Sequence, residues 1–136
     1  MTDIRENKII TGTSTAVYTD HILFIEITKG ANITLKDAQE HVSLWRNLEK
    51  TLYDERFSVI IDLHNMKSIE RDARNFYSQS SSKNAVGVAL ITSTPLSNVI
   101  ANFFIGLNNP AKPIKLFSNK NDAIQWLREI MELREI

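Results

Sequence analysis

Asp62, His64, Glu70 and Asp72 fall close together in the chain, with Ser68 between them. Carboxylates beside an imidazole could hold a divalent cation through oxygen ligands, or pass a proton in acid–base chemistry. Their spacing, however, matches no defined metal motif. Acidic residues in a first helical turn are accounted for by the helix dipole, at about 0.3–1 kcal/mol each, and Ser68 is expected to cap that same helix start. His21 lies in a turn and His41 on an amphipathic helix. Neither has a partner evident in the sequence, so both are expected at the surface. Cysteine is absent, which removes thiolate catalysis, disulfides and cysteine-ligated metals together. There is no nucleophile elbow, P-loop or GxGxxG, and only 4 glycines are present to let backbone approach a phosphate. The helix starts at Ser68 and at Ser93-Thr94 carry free amides that suit a small anion, but ordinary capping uses the same groups. No catalytic residue, metal site or cofactor is expected.

The element that must position these residues is Phe57 to Leu63. Phe57, Val59, Ile61 and Leu63 share one face at period two and Ile60 adds to the other, which predicts a strand buried on both sides. A carboxylate at its end, then a loop and a helix start, is where open α/β sheets usually place a working site. Before it, Lys8 to Tyr18 reads as a Thr-rich edge strand, joined through Thr19-Asp20-His21 to a better buried partner, Ile22 to Thr28. Thr34 with Asp37 three positions on is a capping box for a helix whose stripe is Leu35, Ala38, Val42, Trp45, Leu48 and Leu52. A second helix from Ser68 turns Ile69, Ala73, Phe76 and Tyr77 inward and gives way to a loop at 80–84. Val86 to Thr92 reads as another buried strand, with the small residues Gly87 and Ala89 on one face. Ser93 or Thr94 then caps a helix with Pro95 in its first turn, and Leu96, Val99, Ile100, Phe103, Phe104 and Leu107 form its stripe. Ile114 to Phe117 is a last strand. A closing helix, capped by Ser118 or Asn119, buries Ala123, Ile124, Trp126, Leu127 and Ile130. The order ββαβαβαβα predicts an α/β fold with a mixed, mostly parallel sheet, right-handed crossovers and an N-terminal antiparallel hairpin.

At 136 residues the chain fits a single domain spanning 1–136. Lys+Arg and Asp+Glu are equal at 16 each, so no net positive field draws in nucleic acid. Nucleic acid is not an expected partner. The start, MTDIRENKII, lacks the apolar core of a secretory signal. The most apolar run, Val99 to Leu107, is far shorter than the ~20 residues that cross a bilayer. A cytoplasmic protein without membrane insertion is expected.

With these elements in place, the pattern from about Thr11 to Leu127 resembles a STAS domain, the fold of bacterial anti-sigma factor antagonists and of the cytoplasmic tails of sulfate transporters. Ile60-Ile61-Asp62-Leu63 before a loop and helix, and Lys115-Leu116-Phe117 with Ala123 and Trp126-Leu127, carry the likeness. SIERDAR at Ser68 to Arg74, NFFIGLNNPAKP at Asn102 to Pro113 and the AIQWL ending resemble an uncharacterised family of small bacterial proteins described as STAS-like or CRAL-TRIO-like. The antagonist resemblance implies a non-enzymatic regulatory module that binds another protein, a kinase-like or anti-sigma-type regulator. It would use Asp62, His64, Ser68, Glu70 and Asp72 with Ser93, Thr94 and Asn98. A gapless carry-over places Asp72 where the antagonists have their phosphorylated serine. A fixed carboxylate cannot be switched by a kinase, and it imitates a phosphate with less charge and fewer acceptors. The CRAL-TRIO resemblance implies the alternative, a binding protein for a lipid or other small apolar ligand. Phe103, Phe104, Ile105 and Leu107 are then candidates for the ligand or for an interface, and a homodimer fits either reading.

Overall fold

The structure is a computed structural model. It describes residues 3–5, 8–52, 55–80, 84–106 and 113–135, with the backbone alone for 3–5, 96, 101, 103–106 and 133–135. In chain order the strands are β1 (Asp3–Arg5), β2 (Lys8–Ile10), β3 (Ser14–Thr19), β4 (Ile22–Ile27), β5 (Asn32–Ile33), β6 (Phe57–Asp62), β7 (Ser68–Ile69), β8 (Ala85–Ile91) and β9 (Ile114–Phe117). The helices are α1 (Leu35–Lys50), α2 (Arg71–Ser78), α3 (Pro95–Gly106) and α4 (Lys120–Glu135). Seven strands make one sheet in the order β1-β2-β3-β4-β6-β8-β9. The first four pair antiparallel, and β4, β6, β8 and β9 run parallel.

The period-two pattern divides each central strand between two layers. Leu23, Ile25, Ile27, Leu63 and Leu90 pack with Ala38, Ala73 and Ile100 on the side covered by α1, α2 and α3. Ile22, Ile60, Ala89 and Ile91 pack with Ala123 and Leu127 of α4 on the other. Gly87 faces α4, where an added Cβ would stand 3.4 Å from the Leu127 side chain and 3.6 Å from the Pro113 carbonyl oxygen. The parallel core and the interior position of β6 agree with the sequence reading. Asp20 and His21 form the β3–β4 hairpin turn, with φ 51° and 63°, the left-handed geometry of a two-residue turn.

Three expectations are corrected. First, 8–18 is not one edge strand. Thr11 Oγ1 accepts the N–H groups of Thr13 (3.2 Å) and Ser14 (3.0 Å) in a hydroxyl-closed turn, which folds β2 back onto β3. As a result β3 is interior and β1 holds the edge. Second, Ser68 does not cap a helix. It pairs with Asn32 in the parallel β5–β7 ladder, and α2 begins after Glu70, which caps with no side-chain bond of its own. Third, in the expected α3 stripe Ile100 is buried but Val99 is 61% exposed, and Ser97 is buried in its stead at 1%; the side chains of Leu96, Phe103 and Phe104 and the whole of Leu107 lie outside the described residues. The Ser97 hydroxyl tolerates burial because it donates to the Thr94 carbonyl at 3.0 Å and accepts the Thr94 N–H at 3.0 Å. Thr94 returns a cap to the Ser97 N–H at 3.0 Å. The Thr34–Asp37 capping box is present, and Asn119 caps α4 through the Asp122 N–H at 2.9 Å.

Candidate functional site

A cavity of about 470 Å³ lies between the sheet and the helices α1, α2 and α3. Its floor is the inward face of the strands: Leu23, Ile25 and Ile27 from β4, Val59 and Ile61 from β6, and Val88 and Leu90 from β8. Leu44, Trp45, Leu48, Phe76 and Tyr77 of the overlying helices pack against this core but stay only partly buried. Among the described residues α1 buries only Ala38, His41 and Val42, and α2 only Ala73. Val59 and Ile61 consequently stay half-buried in mid-strand, while Ile60 on the other face is 1% exposed.

The cavity has two unlike ends. Phe57 and Leu63 both line it, so it runs the length of β6, about 20 Å at ~3.3 Å per residue. At the end where β6 finishes, Ile27, Ile33, Leu63 and Met66 are all buried. The β5–β7 ladder closes that end, held by Lys67 N–H to Ala31 carbonyl at 2.9 Å and Glu70 N–H to Ile33 carbonyl at 2.8 Å. At the opposite end the lining includes Arg46 and Glu49 from the last turns of α1, Ser78 at the end of α2, and Ser80 beyond it.

Behind the lining residues Trp45 and Tyr77 lies a buried polar clasp. His41 is 0% exposed, which overturns its expected place at the surface. Its Nδ1 meets the Tyr77 hydroxyl at 2.6 Å and its Nε2 meets Thr13 Oγ1 at 2.7 Å. Trp45 lies against both rings, at 5.5 Å and 6.0 Å between centroids. Burial holds the His41 pKa below its ordinary value against the opposing pull of Asp37 and Glu40. Burial and then Asp37 raise that of Tyr77. The signal was present in the sequence: position 41 falls between Ala38 and Trp45 on the stripe that carries Val42. Only the CRAL-TRIO resemblance implied an apolar pocket; the residue pattern itself did not mark this cavity, since unfilled volume depends on how far apart layers settle.

The eight residues expected to bind a partner all lie at the carboxyl end of the parallel strands, but they do not converge on one point. Asp62 accepts the His64 backbone N–H at 3.0 Å and pairs with His64 Nδ1. Glu70 turns to α1, accepting the Leu35 N–H at 3.0 Å. Ser68 donates to Asn32 Oδ1 at 2.5 Å. Asp72, Ser93 and Asn98 are exposed, and Thr94 is held by its cap. Among the described residues no group of three or more His, Asp or Glu side chains could hold a metal ion. His21 pairs with Glu55 at 2.9 Å, away from this rim in the hairpin turn. Of the apolar candidates, the side chains of Phe103, Phe104 and Ile105 and the whole of Leu107 lie outside the described residues.

This layered arrangement has a solved counterpart. A crystal structure of an uncharacterised DUF3478-family protein with a SpoIIAA-like fold from Shewanella loihica PV-4 is similar to this chain at TM-score 0.59 and 19% identity. The match covers 84% of this chain and 91% of that one. The fold is thus SpoIIAA-like, of the STAS type. The chain itself belongs to the family described as a domain of unknown function, DUF7793, whose model matches residues 16–131. No curated protein matches it. Among the described residues no helix is long and apolar enough to cross a membrane.

Proposed function

We propose that this protein is a non-catalytic binding module that takes a small apolar molecule into the cavity between its sheet and α1–α3. The single observation that carries this reading is the cavity: about 470 Å³, floored by aliphatic side chains, within the ~300–1,000 Å³ of sites that enclose small ligands. The neutral fluorophore N-phenyl-1-naphthylamine tests it. Binding should brighten the dye and perturb the methyl resonances of Val59, Ile61 and Leu90, and Ile61→Trp should abolish both effects by filling the space. Failure of the dye to bind, or perturbations confined to other residues, refutes the reading.

A second reading concerns the carboxyl rim. Asp72 in the first turn of α2, with Ser93, Asn98 and Val99 on the helix start that follows the neighbouring strand, leaves charged and apolar groups open together. The antagonist resemblance supports a protein partner there, a kinase-like or anti-sigma-type regulator. A protein captured reproducibly from native extract and lost on Asp72→Arg would support this role. Capture that is indifferent to Asp72→Arg would count against it.

A further inference from the structure

The two ends of the cavity differ in a way that selects an occupant. We infer that the site takes a single-chain anionic amphiphile, a fatty acid or a molecule of that shape, with its tail toward Leu63 and Met66 and its acid group at Arg46. This rests on the cavity being the binding site and goes one step further, to ligand chemistry.

Length and polarity are the first argument. The space follows β6 for about 20 Å, closes among buried Ile33, Leu63 and Met66, and meets charged side chains only at its other end, Arg46 and Glu49. A compact apolar molecule would leave one end empty, whereas an extended chain with one polar terminus matches both. The sign of that terminus follows from which charge is available. Glu49 already has a partner. Arg46 is exposed and makes no hydrogen bond or ion pair with another described residue. The hydroxyls of Ser78 and Ser80 donate to the carbonyls of Asn75 and Phe76, at 2.7 Å and 2.6 Å. They therefore have no proton left to offer a head group. The guanidinium supplies the donors there, in a fork whose geometry fits a carboxylate bidentately.

Calorimetric titration with dodecanoate and with 1-dodecanol, which share a tail, isolates the head group. Dodecanoate should bind at least about tenfold more tightly, an advantage of ~1.4 kcal/mol. Arg46→Gln should remove that advantage while leaving the alcohol unchanged, and Arg46→Lys should restore part of it. Trp45, in the cavity wall, should report both ligands by its fluorescence. Equal binding of acid and alcohol, or an acid preference that survives Arg46→Gln, overturns the head-group assignment and leaves the apolar site standing. If neither ligand binds, the head-group assignment and the apolar-site reading both fall.

Discussion

His41 shows what a single buried group can do to this molecule. Its ring meets three hydroxyls, Tyr77 at Nδ1 and Thr13 and, at 3.4 Å, Thr11 at Nε2, which a neutral imidazole serves with one donor and one acceptor nitrogen. Burial lowers its pKa in the folded chain, so the unfolded chain, with a histidine near about 6.5, takes up the proton first. Stability is then fully present above that value. It is lost as pH falls through it toward the lower folded pKa. Urea unfolding at pH 7.5 and pH 5.5 should show this loss, and His41→Gln should reduce it. An unchanged pH dependence in that variant would mean the clasp does not discriminate between protonation states.

The elements were legible in proportion to how local their causes are. β6 and β8 announced themselves because alternation puts apolar residues toward both layers, and α1 because its cap and stripe lie within one stretch. The break between β2 and β3 depends on a threonine hydroxyl closing a turn, which competes with strand pairing at an energy a pattern of side chains does not express. Ser68 was misplaced for a related reason. Its strand exists only because Asn32 stands beside it, 36 positions earlier. The rim residues were readable as a set, but Glu70's use as an acceptor for α1 was not, since that contact joins two elements. Ile60, 1% exposed between the sheet and α4, gives the sharpest test at this scale. Ile60→Asp places an unpaired carboxylate between layers, at a cost of several kcal/mol, and should yield no cooperatively folded protein by circular dichroism. Asp72→Ala, at an exposed position, should stay within about 0.5 kcal/mol of the parent in urea unfolding. A larger loss there would mean that the carboxylate is structural and not free for recognition.

Taken whole, the molecule covers one side of its sheet with α4 tightly and the other with three helices loosely. On the α4 side, Ile60, Ala89, Ala123 and Leu127 are almost completely buried, and even a Cβ added at Gly87 would meet Leu127 and Ile130 in ordinary contact. On the other side the layers stand apart over the half-buried Val59 and Ile61. A ligand that binds only the folded chain stabilises it by about 2.7 kcal/mol at a hundred times its Kd, so occupancy should appear as a rise in melting temperature.

The same looseness gives the chain substitutional latitude where most proteins have least. An added methylene in a close-packed core commonly costs about 1–3 kcal/mol. At position 59 there is vacant volume to receive it, so Val59→Ile should leave the unfolding free energy unchanged or raise it by up to ~0.8 kcal/mol through extra burial, with the melting temperature following. A clear drop would show that the void is not there. With that freedom, chains sharing this backbone can lengthen, shorten or reshape their interior by exchanging a few aliphatic residues. Under the proposed binding role, ligand selectivity can then drift without touching the residues that hold the fold together.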